Sequence, residues 1–310
     1  MTSNSIVVIG SSNIDLVAKS HKIPVVGETL TGTDFFMTPG GKGANQAVAA
    51  AKLGANVIFV ARLGKDVFAE KSLENFKSVG INPKHIAQLD GVPSGVAIIA
   101  IDDNGKNIII VVPGANGKVL PSDVDKAAKD IAEAGVVVCQ LEIPLETVEK
   151  AAETAVKNKV PFILDPAPAR PLSDKLLSMV DVLKPNETEA QTITGIKVVD
   201  VESASKAADW LLAKGVKNVI ITLGDKGALI ANKNSKETIE RIKVKALDST
   251  AAGDAFTGAL AYGLAKGETL KDAAVFANAV AAISVTRFGA QASMPTKQEV
   301  DKFIANKYTL

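Results

Sequence analysis

The stretch Asp248-Ser249-Thr250-Ala251-Ala252-Gly253-Asp254-Ala255-Phe256-Thr257-Gly258 reads as a strand end, a tight turn of small residues and the first turn of a helix. After Thr250 the turn carries little side chain. Backbone N–H groups at the helix start are therefore open to close approach by an anion, and the helix macrodipole favours negative charge there. An acid directly behind such a cradle, Asp254, is placed to take a proton from a hydroxyl that attacks a phosphoryl group held in it. The same residues also suit a plain helix start, with Ser249 or Thr250 as N-cap and Asp254 as an acid that complements the dipole. The rest of the chain has to decide between the two.

Outward from this stretch, short apolar runs alternate with helical patterns. Strands are expected at residues 5–9, 56–61, 136–141, 161–164, 182–183 and 218–223. Helices are expected at 43–53, 67–79 with Asp66 as N-cap, 122–134, 145–158, 202–214, 253–266, 270–286 and 296–307. Such alternation specifies an α/β fold in three layers, a mainly parallel central sheet flanked by helices. Two segments break it. Residues 14–38 contain strand-like pieces around Val17 and at 30–36, and residues 96–101 pair with 107–112 across the turn Asp102-Asp103-Asn104-Gly105. Within one domain spanning 1–310, these segments, about 14–38 and 96–112, form either a small β-sheet lid over a site or a decorated sheet edge. Apolar lid residues such as Ile99 and Ile109 are a possible dimer surface.

Composition narrows the function. The 310 residues are 47% hydrophobic and 22% charged, and 35 Lys plus Arg stand against 34 Asp plus Glu, a net charge of +1. With no basic block and 4% aromatics, the chain has neither a phosphate-tracking patch nor a stacking platform, so no nucleic-acid partner is expected. Cys139 is the lone cysteine and His21 and His85 the two histidines, which excludes an internal disulfide and a Cys/His metal site and suits a reducing, cytoplasmic setting. Met1 to Ser5 carries no positive charge and the apolar run 6–9 is too short for a signal-peptide core, so no targeting segment is expected. Residues 273–285 are apolar but shorter than a membrane span and include Asn278, which reads as a buried helix rather than a membrane segment.

Open α/β sheets bind ligands at the carboxyl ends of their strands, and the motifs there carry the chemistry. After the first strand, Asn13 and Asp15 present an amide and a carboxylate two residues apart, suited to neighbouring hydroxyls of a polyol or to an ordinary Asx turn. Pro39-Gly40-Gly41-Lys42-Gly43-Ala44-Asn45 is a glycine-rich turn entering a helix, open to close backbone approach, with Lys42 for charge and Asn45 for a hydroxyl. It matches neither a P-loop nor a dinucleotide fingerprint, and a tight turn without ligand is its other reading. Glu142, Asp165 and Lys184-Pro185-Asn186-Glu187-Thr188-Glu189 follow later strands. Asn186 and Glu189 share a helix face and suit either a hydrated Mg²⁺ or a capping box. Thr222-Leu223-Gly224-Asp225-Lys226-Gly227 suits backbone contacts with a nucleotide, or a plain hairpin turn.

Gly40-Gly41-Lys42-Gly43-Ala44-Asn45, Asn186-Glu187-Thr188-Glu189 and Asp248 to Asp254, in that order, resemble the signatures of the PfkB carbohydrate kinase family, over the whole chain. Asn13, Asp15, Lys42, Asn45 and Glu142 are similar to the sugar-binding positions of its ribose-phosphorylating members. The resemblance implies that family's three-layer α/β fold and ATP-dependent phosphorylation of a furanose at its 5-hydroxyl. In this scheme Asn13, Asp15, Gly41, Lys42, Gly43, Asn45 and Glu142 hold the sugar, and Asp254 is the base. Ala251, Ala252 and Gly253 donate N–H groups to the phosphoryl in flight. Asn186, Thr222, Leu223, Gly224, Asp225, Lys226, Gly227, Gly253 and Asn278 bind ATP, and Glu189 organises Mg²⁺ through water. A monovalent cation, K⁺, is implied on loops carrying Asp248, Thr250, Ser284, Arg287, Gly289 and Ser293, and a homodimer through the lid. A sibling sugar or nucleoside kinase and a non-catalytic sugar sensor on the same fold are the alternatives. Two departures stand out. Ser249 replaces a common threonine and keeps its hydroxyl; Ala251 replaces a common glycine, and its methyl is accommodated if its φ is negative.

Overall fold

The computed structural model describes residues 4–308. The reading of the first three residues lies outside that range. Among the described residues, thirteen strands run in order: β1 Ser5–Ile9, β2 Asn13–Lys19, β3 Asp34–Gly40, β4 Asn56–Gly64, β5 Asn82–Leu89, β6 Gly95–Ile101, β7 Asn107–Val112, β8 Val136–Cys139, β9 Phe162–Leu164, β10 Val182–Leu183, β11 Asn218–Thr222, β12 Ala228–Asn232 and β13 Lys236–Ile239. Nine form the central sheet, in the order β13-β12-β11-β10-β9-β8-β1-β4-β5. Every neighbouring pair is parallel except those made by β12, which is antiparallel to both β11 and β13.

The middle strands are apolar throughout because both faces are covered. Along β1, Ile6 and Val8 enter one core and Val7 and Ile9 the other. The first core lies under the helices Lys42–Lys52, Ala252–Ala265 and Leu270–Ser284, the second under Leu145–Asn158 and Val201–Ala213. The expected helix at 122–134 is two short ones, Pro121–Lys126 and Ala128–Ala132, parted at Ala127.

Helix Ala252–Ala265 is buried almost all round. Full burial of Phe256 and Leu260 stabilises it by about 1.5–3 kcal/mol each. Gly258 lets helix Lys42–Lys52 approach closely, since a Cβ there would stand 2.6 Å from both the Ala49 Cβ and the Gln46 carbonyl oxygen. That crossing brings the amino-terminal ends of the two helices together.

The remaining strands form a second sheet, β3-β2-β6-β7. Strand β3 starts at Asp34 and runs to Gly40, later than the expected 30–36, so the glycine-rich turn is its direct continuation. Strand β7 is exposed on both faces, with Ile108, Ile109 and Ile110 about half accessible. On β6 the most exposed apolar residue is Ile98 rather than the expected Ile99, because alternation turns the two to opposite faces. Among the described residues, no helix is long and apolar enough to cross a membrane.

Candidate active site

Gly10, Gln140, Asp165, Lys184 and the Thr222 terminus of β11 all lie at the carboxyl ends of adjacent strands. Above them runs a cleft of about 550 Å³. Its walls include Lys42, Asp165, Lys184, Asn186, Glu189 and Asp254.

The glycine-rich turn is shaped by contact. Gly41 has φ 86° and caps the helix Lys42–Lys52 without a side-chain hydrogen bond. A Cβ on Gly43 would stand 2.6 Å from the Ser11 nitrogen, so only glycine fits at that position. The missing cap comes from elsewhere. Glu142 Oε2 accepts from the Lys42 backbone N–H at 2.9 Å and from the Ser11 hydroxyl at 2.6 Å. Glu142 thus also serves as a long-range acceptor for the helix start. Asn13 Oδ1 accepts from Asn116 Nδ2 at 2.7 Å, which turns the Asn13 amide nitrogen away from that contact. Asp15 lies beside Gly40, where a Cβ would meet its carboxylate at 2.4 Å. Burial, then the charges of Glu142 and Asp254, push the Asp15 carboxyl up to about 6.

Asp254 is 5% exposed and held at both oxygens: Asn45 Nδ2 donates to Oδ2 at 2.8 Å and Gln46 Nε2 to Oδ1 at 3.0 Å. Burial raises its pKa, against the opposing pull of the Lys42 ammonium. Lys42 in turn is held firmly protonated, above all by Asp254 and further by Asp165, Glu142 and Glu189. Beneath Asp254, Asp165 Oδ2 accepts from Gln46 at 2.7 Å, Lys184 Nζ at 3.1 Å and the Thr257 hydroxyl at 3.2 Å. Lys184 also donates to the Gly253 carbonyl at 3.2 Å.

Ala251 corrects one expectation. Its φ is +58°, left-handed, not negative. The methyl is carried in a conformation that costs a non-glycine residue about 1 kcal/mol. The Ala252 N–H, expected to face the anion, donates to the Ser249 carbonyl at 3.2 Å. Ser249 and Thr250 do not cap the helix through their side chains. Asp248 shapes the turn instead, accepting from the Thr250 N–H at 2.9 Å and the Gly289 N–H at 2.9 Å. Despite burial, which raises it, hydrogen bonds from the Thr250 hydroxyl and from the Gly289 and Thr250 N–H groups hold the Asp248 carboxyl below its ordinary value.

Asn186 and Glu189 form the reciprocal capping box and also line the cleft. Burial, with Asp165 nearby, raises the Glu189 carboxyl. Thr222, Gly224, Asp225, Gly227, Gly253 and Asn278 line the same cleft. Leu223 and Lys226 do not: Leu223 is buried and Lys226 Nζ turns away to the Val199 carbonyl. The turn is also a hairpin, joining β11 to the antiparallel β12. Of the loops named for a monovalent cation, the structure joins 247–250 to 285–289 through Asp248 and the Val285 carbonyl. Ser284, Arg287 and Ser293 spend their side chains on Ala281, Glu299 and Ala290 respectively.

Oxygen donors predominate where Mg²⁺ is expected. Asp165 Oδ1 is buried in the cleft wall without a hydrogen-bond partner, and Glu189 and Asn186 lie in the same wall. This hard, partly unsatisfied set fits a divalent cation held largely by phosphate and water. Among the described residues no cluster of three or more His, Cys, Asp or Glu side chains forms a metal cage by itself.

Residues 3–297 match the model of the pfkB family of carbohydrate kinases. The chain is 42% identical over 300 residues to a ribokinase of Haemophilus influenzae, covering 97% of this chain and 98% of that one. It is 38% identical over 301 residues to a deoxyribokinase of Salmonella typhi, covering 97% and 98%. The solved structure of an Arabidopsis thaliana ribokinase complexed with ribose and ATP superposes with a TM-score of 0.92 at 33% identity, covering 98% of this chain and 99% of that one.

Proposed function

The chain belongs to the pfkB family of carbohydrate kinases, and from that premise we propose the ribokinase reaction for it: transfer of the γ-phosphoryl group of ATP to the 5-hydroxyl of ribose. The observation that carries this reading is Asp254, held at both oxygens by amide donors at the junction of the sugar turn and the nucleotide cleft. Donors on both sides keep the carboxylate an acceptor, as a base must be, although burial alone favours its protonated form.

In this reading Asn13, Asp15, Gly41, Lys42, Gly43, Asn45 and Glu142 orient the furanose so that its 5-hydroxyl faces Asp254. As the hydroxyl oxygen attacks the γ-phosphorus, its proton passes to an Asp254 oxygen and the bond to the ADP oxygen breaks. The Gly253 and Ala251 N–H groups, the helix dipole and the Lys42 and Lys184 ammoniums stabilise charge on the transferring group. Glu189, Asn186 and Asp165 would hold Mg²⁺, which when bound neutralises phosphate charge. K⁺ is assigned to the loops joined by Asp248, where it reinforces the shape of the anion turn.

The exposed apolar residues Phe35 and Ile108 to Val112 support a homodimer joined through the second sheet, acting as a lid. An Ile109→Glu variant is expected to elute as a monomer.

ADP release with ribose, 2-deoxyribose, fructose and adenosine, each with and without K⁺, tests the reading. Ribose is expected to give the highest kcat/KM and K⁺ to raise it. The likeness to a deoxyribokinase favours one second reading, and a higher kcat/KM with 2-deoxyribose selects it. Absence of turnover with every sugar rejects both.

A further inference from the structure

The amide that grips Asp254 is itself gripped. Asn45 Nδ2 donates to Asp254 Oδ2, so Asn45 Oδ1 faces the other way, where Gln291 Nε2 donates to it at 3.0 Å. That leaves Gln291 Oε1 outermost, accepting from Asn75 Nδ2 at 2.6 Å. A carboxylate only accepts, so each amide in this row is forced into one orientation, and the polarity set at the base runs unbroken to Asn75 on the helix Val67–Ser78. Gln291 is 3% exposed. Its backbone is pinned as well, since Lys52 Nζ donates to the Gln291 and Met294 carbonyls at 2.9 and 3.0 Å. No motif that speaks for the reaction includes Gln291, Asn75 or Lys52.

We propose that Gln291 is a positioning residue for the reaction: it fixes the polarity of the Asn45 amide, and so keeps a donor on the base. The proposal rests on the reading of Asp254 as base. It also explains why the loop 289–294, far along the chain, is tied to the start of helix Lys42–Lys52. Beyond the relay, the charged groups around Asp254 are Lys42 at the start of the facing helix, Lys184 and Asp165 from strand ends, and Asp15 from the second sheet. Next to Gln291 is Lys52, on which the charges of Glu299 and Arg287 act in turn.

The test turns on inverting polarity rather than removing contact. Gln291→Glu places an acceptor against Asn45 Oδ1, which drives the Asn45 amide to turn and present its oxygen to Asp254. Turnover with ribose is expected to fall about tenfold to a hundredfold. The acid limb of kcat against pH is expected to move to higher pH, because a carboxylate that loses its donor protonates more readily. Gln291→Ala removes the outer donor without forcing the turn, so a smaller loss, under about tenfold, with the limb in place is expected. Asn75→Asp, two amides from the base, is expected to act like Gln291→Glu but more weakly, with the KM for ATP unchanged in all three. Equal losses in Gln291→Glu and Gln291→Ala, or an acid limb that does not move in Gln291→Glu, overturn the proposal. Should Gln291→Glu fail to fold, Asn75→Asp against Asn75→Ala decides by the same comparison. Asp254→Asn keeps the two readings apart. If it turns over at near the wild-type rate, the base assignment falls; if it is inactive while the limb stays put in Gln291→Glu, only the relay does.

Discussion

Two turns open the two helices that meet at Asp254, and they are built differently. In the glycine-rich turn Gly41 takes the positive φ and Gly43 lies against the Ser11 backbone, so the shape follows chiefly from close packing, with Glu142 accepting from the Lys42 N–H. In the turn from Asp248 to Gly253 the positive φ falls on Ala251, and Ser249, Thr250 and Gly253 are exposed. Its shape depends on the Asp248 carboxylate, which bridges Thr250 and Gly289. One turn is rigid by exclusion of any other shape. The other is held by a tether and carries strain.

Both turns lead to Asp254, the proposed base, and its loss has the largest expected effect. Asp254→Asn is expected to lower kcat by about 10³-fold or more while ribose still binds, measured by steady-state kinetics and calorimetry. Gly43→Ala tests the packed turn. Its Cβ would displace the strand-end backbone, and we expect a stability loss of about 1–3 kcal/mol with a ribose KM raised at least about tenfold. Asp248→Ala tests the tethered turn, where about a tenfold loss of kcat and weaker activation by K⁺ are expected with little change in ribose KM. A change in ribose KM as large as that of Gly43→Ala would erase the distinction.

Two smaller effects sharpen it. Asp15 has its folded pKa raised from 3.8 to about 6, so its contribution to stability is present below pH 3.8 and is lost as pH rises through 6. Without ribose, Asp15→Asn is expected to be more stable than the wild type by about 1–3 kcal/mol at pH 8, and by less at pH 5, in urea unfolding. A gap independent of pH would remove Asp15 as the cause. Ala251→Gly relieves the left-handed strain but loosens the unfolded chain, for a net gain under about 1 kcal/mol and turnover within about threefold. A large loss of activity would show that the methyl shapes the anion site.

Much of this was legible before any coordinates. The parallel centre of the sheet reads directly from apolar runs such as Ile6–Ile9 and Val136–Cys139, because burial on both faces leaves no room for polar residues. The edge strands β5 and β13 do not read so. Asn82-Pro83-Lys84 and Lys236-Glu237 face solvent at the two margins of the sheet, and their polar character conceals them. Asp254, Lys42, Asn45, Glu142 and Glu189 announce themselves by lying in or beside glycine-rich or acidic strand-end motifs. Asn116, Gln140 and Gln291 have no such signal, since a lone amide is unremarkable until its partner, 104, 94 or 246 residues away, is known.

For Asp248 to Asp254 the division is sharp. Sequence alone determined that this stretch is a small-residue turn leading into a helix with an acid in its first turn, because those properties depend on neighbouring residues and local propensity. Only the tertiary structure decided that Ala251 takes a positive φ, that Asp248 rather than Ser249 or Thr250 orders the turn, and that Asp254 is gripped by amides from another helix. Those outcomes depend on atoms distant in the chain, and the helix crossing at Gly258 brings them within hydrogen-bonding range.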